Sequence, residues 1–377
     1  MTHSLFVSVI IPSYNKDPLL RLTLEAFEHQ TYQPFEVILV DDGSTDGTFA
    51  YCARYKPDYA FTYIRHTENK GRSQARNVGI QKAKGDVLIF LDSEMVVMPD
   101  FIQQHAKHHR NHSNRLVTGA LYTRTLYTYA LPGLSSRQLK PIKHHLGDHP
   151  WFARRKEPLQ LLTYDDIQQK KWKRLMVEQP YFEEEIIKPF GPSLQGLHMT
   201  WLAFFSGNIS MRKDFLKTVG DFDEKFLGYG WEDRELGYRF YKQNAQFFGD
   251  ALTIAYHQEH PIGEDKIEES IRNLLYFYEK HGDITILLAL LEFRKPRLSI
   301  VQMNSIALQY RSLRELNHTR ITKKFEELLR TWAYSFTDVP FVPIKENEPT
   351  ENDMNLLRDG KWKEFFSLYK QLRHYER

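Results

Sequence analysis

Along the first hundred residues, short apolar runs alternate with amphipathic stretches, and the apolar runs stop abruptly. Val87–Leu91 is apolar at every position and ends in Asp92, Ser93 and Glu94; Phe35–Val40 ends in Asp41 and Asp42; Phe6–Ile11 ends at Pro12. A run apolar on both alternating faces predicts a strand covered on both sides, as in a parallel sheet. Tyr59–Arg65 predicts a further strand. Between them, Pro18–Gln30 carries Leu19, Leu20, Leu22, Leu24 and Phe27 at helical spacing, and "HTENKGRSQARN" running into "VGIQKAKG" predicts a loop and a helix. Alternating strands and helices imply right-handed crossovers and a mostly parallel sheet, an α/β fold.

Such folds collect their ligands at the carboxyl edge of the sheet. Pro12, Tyr14, Asp41, Asp42, Lys70, Gly71, Arg72, Asp92 and Glu94 all follow predicted strands and so gather on one rim. Singly, Asp41-Asp42-Gly43 is a turn and Lys70-Gly71-Arg72 a solvated loop; the argument lies in their meeting. Asp92 and Glu94, two apart in extended chain, can face the same way. That pair suits a divalent cation, Mn2+ or Mg2+, and a cation suits a diphosphate. With acids for base and ribose hydroxyls and a Lys/Arg pair for phosphate oxygens, the rim predicts a nucleotide diphosphate site.

The 377 residues allow one large domain plus an appendage, and 41% hydrophobic with 26% charged residues is an ordinary globular balance. The single cysteine, Cys52, excludes an internal disulfide and a cysteine-based zinc cluster. No run approaches the roughly 20 apolar residues of a membrane span, and the chain enters a strand without a basic leader, so a cytoplasmic location is expected, at the inner membrane face if the protein is peripheral. Net charge is +3, but from Gln103 to Arg174 fourteen Lys and Arg face four Asp and Glu, with seven His. That basic face could meet an anionic acceptor, a membrane or nucleic acid, or be plain solvated surface. His105, His108, His109 and His112 recur at helical spacing there; a wet basic helix face is expected over a chelating pair. Leu121–Leu139 and Pro141–Arg174 show no single period and read as a wall on the acceptor side or as a surface excursion.

A second informative stretch runs from Phe204 to His260. Gly228, Gly230 and Trp231 frame Glu232 and Asp233, which open a helix carrying Leu236, Tyr238, Phe240 and Tyr241. First-turn acids complement the helix dipole, and flanking glycines let a ligand approach the backbone. Beyond Gly263, Lys266–Lys280, Ile284–Phe293, Ile300–Trp332 and Trp362–Leu372 read as helices, with Pro340–Pro349 as linker. The expected division is 1–263, with a donor half 1–100 and an acceptor half 101–263, followed by a helical region 264–377. That region packs on the first, mediates self-association into a homo-oligomer, or touches a membrane through its aromatic faces.

"VSVIIPSYN", "FEVILVDDGSTDGT", "NKGRSQARNVGI" and "GDVLIFLDSE", in this order, resemble the N-terminal half of family 2 glycosyltransferases of the GT-A fold over about Ser4 to Pro99. The resemblance implies a Rossmann-like, mostly parallel sheet flanked by helices. It puts Pro12, Tyr14 and Asp41 at uracil and ribose, and Arg72 near base or diphosphate. Asp92, Ser93 and Glu94 take the place of a D-x-D motif, with Glu94 for its final Asp. Asp42 and Lys70 complete the expected donor set. "GYGWED", Gly228 to Asp233, resembles the G-W-G-x-E-D motif of β-1,4-galactosyltransferases and bacterial chondroitin-polymerase type enzymes. By that likeness Asp233 is the general base and Glu232, Trp231 and Tyr229 meet the acceptor. Ser206, Gly207 and Asn208 shape the sugar pocket, and His257 joins Glu94 and Asp92 on the metal, with His260 as fallback. The expectation is an inverting, metal-dependent glycosyltransferase moving a hexose or N-acetylhexosamine from a UDP-sugar to a glycan or glycolipid hydroxyl in bacterial surface polysaccharide synthesis. A nucleotidyltransferase or an inactive nucleotide-sugar-binding protein are the alternatives. Nucleic-acid binding rests on the basic segment alone and lacks a recognised module.

Overall fold

A computed structural model of the chain describes residues 4–261, 266–338 and 340–375. The first hundred residues supply β1 (Val7–Ser13), β2 (Phe35–Asp41), β3 (Ala60–Arg65), β4 (Val87–Leu91) and β5 (Met95–Val97). Then come β6 (Arg115–Thr118), β7 (Arg124–Leu126), β8 (Tyr129–Ala130), β9 (Leu159–Gln160), β10 (Met176–Glu178), β11 (Asn208–Arg212), β12 (Gln246–Gly249) and β13 (Ala255–Gln258). Seven strands form the main sheet in the order β12-β6-β11-β4-β1-β2-β3. Only β11 runs against its neighbours, so the sheet is mostly parallel as expected. Burial explains the unbroken apolar run of β4 and the Val37–Val40 run of β2, whose buried Glu36 accepts from Ser8 Oγ at 2.6 Å and Lys84 N at 2.7 Å, whereas β3, at the edge, alternates with solvent.

Helices α1 (Leu19–Glu28), α2 (Thr48–Cys52), α3 (Arg72–Lys82) and α4 (Phe101–His109) follow β1, β2, β3 and β5. Helix α3 lies so close to β1 that a side chain at Gly79 would collide with Ile10. A second sheet, β10-β7-β13-β5, pairs β13 antiparallel with β5, so His257 stands opposite Met95 and Gln258 N donates to Glu94 O at 2.8 Å.

Two expectations change here. The histidines of α4 do not form a wet face: His105 and His109 are buried, because β11 offers them polar partners. His105 lies 2.8 Å from Ser210 Oγ and 2.9 Å from Asn208 Oδ1, and His109 Nε2 lies 2.7 Å from Ser210 Oγ. His108 pairs with Asp250 at 2.6 Å. The aperiodic middle segment is not a surface excursion either. Ile142, Trp151, Leu162, Tyr164, Ile167 and Trp172 join the core, and Tyr164 stacks on His29 at 4.6 Å.

The chain divides into two compact units: Met1–Gln195, Thr200–Lys225 and Glu232–Gly263 form one; Gly196–Met199, Phe226–Trp231 and Glu264–Arg377 form the other. The second unit is helical. Its helices include Lys266–His281, Ile300–Glu315, Thr319–Tyr334 and Lys363–Tyr375, packed around Trp332, Phe325, Phe365 and Tyr369. The helical periodicity expected over Ile300–Trp332 is carried by two helices parted at Leu316–His318, where Asn317 takes a left-handed φ of 60°. Ile284–Phe293 holds one α-turn, Thr285–Leu288, and a 3-10 turn, Ala289–Glu292. The expected linker is fastened: Glu346 N donates to Glu327 Oε2 at 2.7 Å, and Lys324 meets Glu327 at 3.2 Å and Glu348 at 3.1 Å. No described helix is long and apolar enough to cross a membrane.

Candidate active site

Register brings Ser13, Asp41 and Arg65 side by side at the carboxyl ends of β1, β2 and β3. Asp41 is wholly buried: Tyr63 Oη donates to Oδ2 at 2.7 Å and Ser44 N to Oδ1 at 2.9 Å, with Arg65 Nε 3.5 Å away. Asp42 is engaged within the protein, meeting His66 Nδ1 at 2.7 Å and accepting from Lys70 N at 2.9 Å and Gly71 N at 2.8 Å. It therefore anchors the loop that Gly71, at φ 93°, turns into α3. Tyr14, Lys70 and Arg72 are exposed on this rim and Pro12 is half-buried.

Arg76, one helical turn beyond Arg72, is the hub of the next layer. Its buried guanidinium reaches Glu232 Oε1 at 3.0 Å with Nη1 and Asp92 Oδ1 at 3.3 Å with Nη2, and lies 5.2 Å over the Phe222 ring. Glu232 and Asp233 open the helix Glu232–Lys242. Asp233 accepts from Arg234 N at 2.7 Å and Ser206 N at 3.3 Å. Asp92 Oδ2 sits 2.7 Å from where a Cβ on Gly207 would stand, so a glycine is needed for that approach. Asn208 turns into the core, held by His105 and by Thr253 O at 2.9 Å.

The two adjacent acids differ. Burial, then the neighbouring Glu232 charge, pushes Asp233 up to about 6. Burial would raise Glu232 as well, but Arg72 and Arg76 outweigh it and hold its carboxyl below the usual range. Divergent environments for paired carboxyls are how acid and base roles separate.

Beyond Asp92 the chain forms a cradle. One ligand atom each from Glu94, His257 and His260 lie within 4.8 Å of one another. Asp92, expected with them, is not in this group, since Arg76 draws its carboxylate elsewhere. Ser93 Oγ donates to Glu94 Oε2 at 3.0 Å. His260 Nδ1 donates to the Pro261 carbonyl at 2.8 Å, so in neutral His260 the Nε2 lone pair faces the cradle. One carboxylate oxygen and two imidazole nitrogens suit Mn2+ better than Mg2+, which favours oxygen donors. A cationic group already fits there: Lys16 Nζ lies 2.8 Å from Glu94 Oε1 and 3.0 Å from His260 Nε2. Neither Lys16 nor Arg76 stood among the expected site residues, although Arg76 lies inside "NKGRSQARNVGI" and Lys16 directly follows "VSVIIPSYN".

Tyr229 and Trp231 belong to the second unit. There Trp231 Nε1 donates to Ser270 Oγ at 2.8 Å, Lys266 Nζ stands 4.8 Å from the Tyr229 ring, and Asn273 Nδ2 binds the carbonyls of Leu227, Tyr229 and Gly230. An acceptor role for these two aromatics is carried by the motif rather than by this geometry.

Residues 8–167 match the family model "Glycosyl transferase family 2", and residues 193–261 match "N-terminal domain of galactosyltransferase". The chain is 30% identical over 294 residues to the uncharacterized glycosyltransferase YfnE of Bacillus subtilis, covering 77% of this chain and 74% of that one. Chondroitin synthase of Escherichia coli is 27% identical over 293 residues, 74% of this chain and 40% of the synthase. Validoxylamine A glucosyltransferase of Streptomyces hygroscopicus subsp. limoneus is 30% identical over 247 residues, and the chain spans about half (49%) of its length. Among solved structures, S. aureus TarS 1-349 in complex with UDP-GlcNAc shares the fold, with a TM-score of 0.52 at 18% identity, covering 88% of this chain and 87% of that one.

Proposed function

We propose, for a chain that belongs to glycosyltransferase family 2, that it transfers a hexose or N-acetylhexosamine from a UDP-sugar to a glycan or glycolipid hydroxyl, inverting the anomeric centre, in bacterial surface polysaccharide synthesis. The observation that carries the reading is Arg76, which joins Asp92 at the end of β4 to Glu232 beside Asp233. Donor-side and acceptor-side acids are thereby within one guanidinium of each other. The UDP assignment draws support from the N-terminal motifs and from the TarS complex.

On this reading Pro12, Tyr14 and Asp41 receive the nucleoside, while Lys70, Arg72, Asp92 and Ser93 face the diphosphate and sugar. Asp42 acts by holding the loop that presents Lys70 and Arg72. Gly207 leaves room for the transferred sugar and Asn208 supports it from the core. Glu232, ionised, orients the acceptor hydroxyl. Asp233 is ionised at neutral pH yet basic enough to take the hydroxyl proton as attack proceeds. Attack opposite the diphosphate inverts the centre. A divalent cation held by Glu94, His257 and His260 would neutralise charge on the departing diphosphate.

The test is a panel of UDP-, GDP- and dTDP-sugars with Mn2+, scored by thermal shift and donor hydrolysis, run on wild type and Asp233→Asn. A UDP-sugar should stabilise both proteins, and the variant should lose donor hydrolysis, the transfer of the sugar to water, by about 100-fold or more. Substantial turnover in the variant rejects Asp233 as base; release of pyrophosphate from a sugar phosphate and a nucleoside triphosphate would make the protein a nucleotidyltransferase.

A further inference from the structure

We propose that Lys16 is a built-in competitor for the metal: its ammonium fills the cation position of the Glu94–His257–His260 cradle and must swing out before a divalent ion can bind. The proposal rests on the metal assignment above and adds to it a residue of the β1–α1 crossover. Nζ lies 2.8 Å from Glu94 Oε1 and 3.0 Å from His260 Nε2, while that Nε2 is itself 3.2 Å from Glu94 Oε1. An ammonium and a metal ion both need the lone pairs of these same two atoms, so one excludes the other. The His260 tautomer set by Pro261 leaves Nε2 as the acceptor, which serves either occupant.

The surroundings make this a side-chain movement. The backbone is pinned on both sides of Lys16: Asn15 N donates to Ser44 Oγ at 2.9 Å and Asp17 N to Asp46 Oδ2 at 2.9 Å, while Lys16 O accepts from Leu20 N at 2.9 Å. Only the flexible stem has freedom. Lys16 and Glu94 are 21% and 12% exposed, so the ion pair is shielded enough to matter and open enough to exchange. The gain is a cradle whose carboxylate is never left unpaired: with Lys16 in place Glu94 is neutralised without metal, and metal entry frees a tethered cation at the rim.

The experiment measures Mn2+ binding without turnover, by the electron paramagnetic resonance signal of free Mn2+, in wild type, Lys16→Met and Lys16→Gln. Removing the competitor should tighten Mn2+ binding by about tenfold or more. In wild type, added Mn2+ should also speed acetylation of Lys16 by acetic anhydride, read by mass spectrometry, because the ammonium leaves its partners. Equal or weaker binding in the variants, or labelling that Mn2+ does not accelerate, overturns the competition while the metal site stands. No Mn2+ binding in any of the three proteins overturns the metal site and the competition together.

Discussion

Asp92 and Glu232 hold the two amino ends of one buried guanidinium, that of Arg76, at 3.3 and 3.0 Å. Breaking a buried ion pair leaves uncompensated charge and typically costs 3–5 kcal/mol. Arg76→Met should therefore lower the unfolding free energy by about that amount in urea titrations and cut transfer by about 100-fold or more. Arg76→Lys, with a single ammonium in place of a fork, should fall between the two in both measurements.

Asp233 is strained toward its neutral form. Because its carboxyl is raised from 3.8 to about 6, folding is disfavoured once both states have lost the proton, above pH 6, and the penalty vanishes below the unfolded value near 4. Asp233→Asn should thus be more stable than wild type at pH 8, by on the order of 1–3 kcal/mol. The gap should close as pH falls from 6 to 4, as followed by thermal melts.

The same group should shape the activity profile. The kcat/KM for transfer should rise with pH through a limb near 6 as Asp233 ionises. Glu232 raises that carboxyl and Arg76 lowers it, so Glu232→Gln should move the limb to lower pH and Arg76→Met should move it higher. Limbs that do not move in these directions would assign the ionisation to another group.

His105 predicts acid sensitivity of the fold. Burial lowers its imidazole to about 3, while the unfolded chain takes up the proton near 6.5. Between those values the unfolded state binds more protons, so stability should fall as pH drops, at up to about 1.4 kcal/mol per pH unit from this residue. His105→Gln should flatten that part of a stability-against-pH curve; an unchanged slope would discard the assignment.

Mn2+ binding should separate the two carboxylates of the Asp92-Ser93-Glu94 turn. Glu94→Gln and His257→Ala should weaken it by on the order of 100-fold, whereas Asp92→Asn should leave binding of the ion alone within about threefold, since Asp92 lies outside the cradle. Isothermal titration calorimetry on the three variants distinguishes these outcomes.

The amino-acid pattern alone determined the parallel sheet and its carboxyl rim. A strand covered on both faces is apolar along nearly its whole length, as β4 is throughout and β2 is between Val37 and Val40, and acids stand at the carboxyl ends of both. The family motifs were equally local. The three-dimensional arrangement decided which charged groups meet. Pairing of β13 with β5 brings His257 beside Glu94, the Asp92 carboxylate goes to Arg76, and Lys16 enters the cradle across 78 positions of chain. The histidines of α4 were misread for the same reason: their spacing reports the helix, but only β11 supplies the hydroxyl and amide that let them be buried. Hydrophobic period records burial of an element, whereas a polar contact depends on a partner anywhere in the chain.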